Sequence, residues 1–281
     1  MHMGEAKQKS RSRKEILDAA TRCVYCDRQK EEGSQGFDVE HMPPRGMFKD
    51  KQRPSGWEFA SCVRCNSCTS GADAVAQLVA LIDPVNSDPW KVSKFSKLIS
   101  SVSIKAPSVA RELRLPHKAQ PKLYSRNGLL HQVAELHADG PAMKAHLNVF
   151  SAKMAMATFA NYIGRPIGMS GMIYTQWYLN IGMPLDAYHS TLAIMPNFGQ
   201  LEQGKNVSGK QFNLNYNTDK KSIVAGCISF HGNLSIVTIA TDGDDFVSPL
   251  TDMLTPLTGE HRPGSQMTRP GLEGIENLGS I

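Results

Sequence analysis

Two cysteine pairs with the same internal spacing, Cys23-Val24-Tyr25-Cys26 and Cys62-Val63-Arg64-Cys65, carry the strongest chemical signal in the chain. Together they offer four thiolates, the donor set of a closed tetrahedral structural zinc site. Residues 27–61 lie between the pairs, a longer insert than the shortest zinc ribbons use, and they contain Glu40-His41-Met42-Pro43-Pro44. A carboxylate beside an imidazole sets a hard oxygen ligand next to a base with a pKa of about 6.5. In an extended segment the two side chains point to opposite faces, so each can serve a different partner. Asn66 stands directly behind the second pair.

In this order, Cys23/Cys26, then Glu40-His41 with Pro43, then Cys62/Cys65 and Asn66, the residues resemble the zinc-containing form of the HNH (ββα-metal) endonuclease family. The resemblance covers roughly residues 20–82. It implies a structural zinc ion on Cys23, Cys26, Cys62 and Cys65, with a catalytic Mg²⁺ or Mn²⁺ held by Glu40 and Asn66. It implies His41 as the base that activates water, and metal-dependent hydrolysis of nucleic acid, DNA first, leaving 5′-phosphate and 3′-hydroxyl ends. The chain departs from the family pattern in three places. Glu40 replaces the commoner Asp. Trp57 and Glu58 stand where a middle Asn or His is usual, so orienting His41 passes to another group or to a backbone carbonyl. Thr69 stands where a basic residue is often found. These departures leave a rival reading, a non-catalytic zinc module that binds nucleic acid or a protein partner.

Several neighbours carry alternative roles. Cys65-Asn66-Ser67-Cys68 is itself a CxxC, although the family spacing favours Cys62 and Cys65 as ligands. Asp73 lies on the helix face of Asn66 and either joins the metal site or is a solvated first-turn carboxylate. Arg45 and Arg64, with Lys49, Lys51 and Arg53, form either a phosphate-tracking surface or ordinary surface charge offset by Asp50 and Glu58. The same choice holds for Lys7, Lys9, Arg11, Arg13 and Lys14. His117, His131, His137, His146, His189, His231 and His261 follow no metal-ligand spacing and read as surface or satisfied core histidines. Cys227 reads as a buried small hydrophobe. Asp242-Gly243-Asp244-Asp245 lacks the spacing of a calcium loop and reads as a turn.

The elements that must position these groups follow from local pattern. Ser12 with Glu15 makes a capping box for a helix over 12–22. Residues 37–41 alternate as a short strand, residues 57–60 offer a second, and an apolar stripe from Gly71 starts a helix. One or two helices are expected over 90–114 with a break at Pro107. Pro116, Pro121 and Gly128 mark residues 115–128 as a candidate domain boundary. The longest helix is expected over 141–163, opened by Pro141 and closed at Gly164. Residues 171–181 are apolar without a decisive period. Three strands at 211–216, 222–230 and 234–241 form an antiparallel meander, its last two joined by a tight turn at His231-Gly232-Asn233.

The expected architecture is therefore α+β. An HNH zinc domain spans residues 1–83, a helix-rich region with a small antiparallel sheet spans 84–254, and 255–281 is an irregular tail. The 281 residues, 41% hydrophobic and 20% charged, are enough to build a packed core, and a net charge of +5 permits a polyanion partner without demanding one. No apolar run is long enough to cross a membrane, and the basic N-terminus lacks the apolar stretch of a secretory signal. A reducing cytoplasm, where clustered cysteines bind metal, is the expected compartment. Residues 84–281 are left to receive a protein partner or an activating ligand, as in a regulated effector of bacterial defence or of a mobile element.

Overall fold

The computed structural model describes residues 12–30, 36–50, 52–82, 88–114, 119–126, 128–136, 140–179, 202–242 and 265–268. Helix α1 (Arg13–Ala19) opens with the expected capping box. Ser12 Oγ accepts from the Glu15 amide at 3.2 Å, and the Glu15 carboxylate accepts from the Ser12 amide at 2.6 Å. Strand β1 (Phe37–His41) pairs antiparallel with β2 (Glu58–Cys62), with Phe37 opposite Cys62 and His41 opposite Glu58. Cys62 caps α2 (Val63–Cys68), and a break at Thr69 leads into α3 (Ser70–Ala80).

Helices α4 (Pro89–Lys105) and α5 (Pro107–Leu113) meet at Pro107, as the sequence predicts. The proposed boundary at 115–128 instead leads into a hairpin of β3 (Ala119–Arg126) and β4 (Leu129–Leu136). Pro121 pairs with Ala134 in this two-stranded ladder, and Gly128 takes the positive φ of +77° that the turn requires. Helix α6 (Pro141–Ile163) starts where Pro141 places it. Its first free amides, Ala142 and Met143, donate to the Glu112 carboxylate of α5 at 2.8 and 2.9 Å. It ends at Gly164 in the left-handed region.

The ambiguous apolar segment is strand β5 (Met172–Leu179). Then come β6 (Glu202–Ser208), β7 (Phe212–Thr218), β8 (Ile223–Phe230) and β9 (Leu234–Thr241). The expected meander is present and its last turn carries positive φ at both His231 and Gly232. Within the tail read as irregular, β10 (Ser265–Thr268) adds a strand against β5. The antiparallel sheet runs β10-β5-β9-β8-β7-β6.

Helix α6 is buried nearly all round and packs between this sheet and α3. Ile236 and Ala240 of β9 face the cluster that includes α6, while Val237 and Ile239 face a second buried cluster. The first cluster runs unbroken from Cys23 to Ala240. Trp57 is one of its bridges, in edge contact with Phe59, Tyr162 of α6 and Phe212 of β7. His231 bonds the Met47 carbonyl at 2.7 Å, and Asn233 donates to the Ala80 carbonyl at 3.0 Å. The N-terminal elements are thus docked on the sheet and share one buried cluster with it. Among the described residues, no helix is long and apolar enough to cross a membrane.

Candidate functional site

The first knuckle and the start of α2 meet at the end of the β1–β2 hairpin. There the sulfurs of Cys23, Cys26, Cys62 and Cys65 all lie within 4.8 Å of one another. The Cys23 sulfur accepts from the Tyr25 and Cys62 amides at 3.4 and 3.3 Å, and the Cys62 sulfur accepts from the Cys65 amide at 3.5 Å. The Cys26 and Cys65 thiols also bond Cys23 and hold it far below the usual thiol range. Donating to Cys23 pushes Cys26 up to about 11 and Cys65 higher still. Four convergent sulfurs, one already favoured as thiolate, fit a metal such as zinc, which would tie the knuckle to the hairpin and the helix. Cys68 is exposed and lies outside the cluster. Cys227 is buried in the sheet, its thiol pushed up to about 11 by that burial.

Strand alternation separates Glu40 from His41, as expected: Glu40 is buried and His41 is half-buried. On the Glu40 side the structure supplies a partner from outside the N-terminal elements. Lys153, in the middle of α6, is fully buried. Its ammonium lies 2.9 Å from Glu40 Oε1 and 2.8 Å from both carboxylate oxygens of Asp73, and donates to Thr69 Oγ1 at 2.9 Å. Tyr25 donates to the same Glu40 oxygen at 3.2 Å, and its ring lies 5.4 Å from the ammonium. Burial pulls the Lys153 pKa down, but Asp73 and Glu40 outweigh it and hold the ammonium above its ordinary range. Burial also pushes the Asp73 carboxyl up, against the pull of Lys153.

A divalent ion on Glu40 and Asn66 does not fit these groups as they stand. One Glu40 oxygen, Oε1, already accepts from an ammonium and a phenol, and the ammonium sets a positive charge against the carboxylate where a cation would have to come. Asn66 is half-buried, and among the described residues no hydrogen bond joins it to Glu40; its carbonyl accepts from Thr69 Oγ1 at 3.4 Å. Asp73 does approach Glu40, through Lys153 rather than as a solvated carboxylate.

His41 has a different setting. Glu58 lies directly across the hairpin from it. Arg53 binds the Glu58 carboxylate and the Trp57 carbonyl, and donates to the Pro43 carbonyl at 2.8 Å. Its guanidinium is committed inside the fold and is not part of an open phosphate surface. Arg45 is exposed, and so is Arg64. Burial, then the charges of Arg45 and Arg53, hold the His41 pKa below 6.5 against the opposite pull of Glu58 and Glu40. Both leading causes favour the neutral imidazole. A groove of about 480 Å³ opens beside Glu58, lined in part by Arg22, Phe59, Asn161 and Arg165.

His146 bonds the Ala142 carbonyl at 2.8 Å and is a satisfied core histidine, while the half-buried His231 is satisfied by the Met47 carbonyl. His117, His137, His189, His261, Lys51 and the basic residues up to Arg11 lie outside the described residues. Sequence reasoning missed Lys153, Tyr25 and the cross-strand place of Glu58. The available signal for Lys153 was a single cation inside an otherwise apolar helical run, Ser151-Ala152-Lys153-Met154-Ala155. No family model, curated protein or solved structure matches this chain.

Proposed function

We propose that residues 20–82 form a zinc-stapled module of the HNH type that hydrolyses phosphodiester bonds of nucleic acid, DNA first, with His41 as the base. The observation that carries this reading is His41 itself: a half-buried imidazole at the end of β1, opposite Glu58, with its pKa lowered by burial and by the charge of exposed Arg45. A neutral imidazole can take a proton from a water aimed at phosphorus, a contribution of about 10²–10⁴ in rate. In this reading Glu58, across the hairpin from His41 and bound by Arg53, takes the orienting role left open by the missing Asn. Arg45 supplies positive charge beside His41 for an approaching phosphate, and the exposed Arg64 is a second candidate phosphate contact. The zinc, held by Cys23, Cys26, Cys62 and Cys65, adds rigidity and takes no part in the chemistry.

The test is cleavage of supercoiled plasmid by wild type and His41→Ala side by side, with and without added Mg²⁺ or Mn²⁺. Cutting by wild type alone supports the reading. Equal cutting by a folded, zinc-loaded His41→Ala protein rejects it.

A second reading, a zinc module that binds nucleic acid or a protein without cutting, is favoured by the Lys153–Glu40 pairing. It predicts salt-dependent binding with no turnover under any metal.

A further inference from the structure

We propose that Lys153 is an internal cation that fills the Glu40 side of the hairpin, so that this carboxylate is closed to Mg²⁺ and Mn²⁺. The inference rests on the geometry around one nitrogen and not on the nuclease reading, because its readout is a bound ion rather than cutting.

Four oxygens surround the Lys153 ammonium at 2.8–2.9 Å: two from Asp73, one from Glu40 and one from Thr69. These are hydrogen-bond distances to an ammonium. They are longer than the roughly 2.0–2.1 Å of Mg²⁺–oxygen contacts or the roughly 2.3–2.6 Å of Ca²⁺–oxygen contacts. The oxygens come from β1, from the α2–α3 junction and from α3, and the cation comes from α6, so the cage draws on elements far apart in the chain. The Lys153 side chain has no exposed surface, and those of Glu40 and Asp73 are 5% and 17% exposed. An incoming ion would have to expel a tethered ammonium and leave it buried against its own charge, which is strongly unfavourable.

By charge count, the two carboxylates of this cage exceed one ammonium by one negative charge. Removing the lysine therefore leaves a pair of buried oxygen donors with room and charge for a divalent ion. The cage that Lys153 closes is a latent cation site.

The experiment is Mn²⁺ titration of the zinc-loaded full chain, followed by electron paramagnetic resonance. The proteins compared are wild type, Glu40→Gln, Lys153→Ala and the Lys153→Ala/Glu40→Gln double variant. Wild type is expected to take up no Mn²⁺ that Glu40→Gln removes. Lys153→Ala is expected to bind Mn²⁺ at least about tenfold more tightly than wild type, a gain lost in the double variant. Uptake by wild type that disappears in Glu40→Gln would overturn the proposal. So would a folded, zinc-bearing Lys153→Ala protein that gains no Mn²⁺ site. If Lys153→Ala does not fold, the comparison of wild type with Glu40→Gln still decides.

Discussion

Replacing Lys153 with methionine tests how strongly the fold depends on its buried charge cluster. Methionine keeps much of the length and the apolar stem, so little cavity forms and the change isolates the charge. Lys153 is fully buried and faces two carboxylates that are themselves nearly buried. Removing one partner of a buried ion pair costs about 3–5 kcal/mol, because the other is left uncompensated. At about 2–4 °C per kcal/mol for a chain of this size class, the melting temperature should fall on the order of 10 °C.

The loss should also depend on pH, in a stated direction. In wild type the Lys153 pKa is raised above 10.5, so its contribution is fully present below pH 10.5 and fades as pH rises through the folded value. In the variant, Glu40 and Asp73 meet without a cation, so at least one carboxyl has a raised pKa and the fold prefers it protonated. The variant should therefore recover stability as pH falls from 8 to 5, narrowing its deficit. Urea unfolding followed by tryptophan fluorescence at pH 5, 7 and 8 measures this. A deficit below about 1 kcal/mol at pH 7, or one that does not change between pH 5 and 8, would refute the reasoning.

Three further outcomes are expected. Wild type should retain about one zinc per chain through dialysis, and Cys23→Ser or Cys62→Ser should lose it while Cys68→Ser does not; elemental analysis showing the reverse pattern would reject the four-cysteine centre. Arg45→Ala should move the His41 titration midpoint up toward 6.5, because burial and Arg45 lead the causes that lower it while Arg53, Glu58 and Glu40 stay in place; imidazole NMR showing no upward movement would contradict this. Trp57→Ala should cost about 3–5 kcal/mol in urea unfolding, since the ring is fully buried among Phe59, Tyr162 and Phe212; a loss under about 1 kcal/mol would mean the bridge between hairpin and sheet is dispensable.

Features written in local pattern were legible from residue types alone. The capping box at Ser12 and Glu15, the alternation that separates Glu40 from His41, the break at Pro107 and the left-handed cap at Gly164 each depend on a few neighbouring residues. The thiol cluster belongs here too, because two CxxC knuckles predispose four sulfurs to converge before any long-range packing is known. The β8–β9 turn was legible because two consecutive positive φ angles favour a sequence like His231-Gly232-Asn233. Strand β6 is not legible in the sequence because Glu202–Ser208 is polar and shows no apolar alternation. The β3–β4 hairpin is not legible in the sequence because Pro121 and Gly128 punctuate edge strands and linkers alike.

Tertiary structure alone decided the partner of Glu40. Sequence placed a carboxylate on one face of β1, but which cation meets it depends on α6 crossing α3 and delivering Lys153 more than a hundred residues later. Periodicity reports which face of an element is buried, not what lies against it. A buried carboxylate must find a counter-charge, and only the packing of distant elements determines whether that charge is an ion from solution or an ammonium from the chain itself.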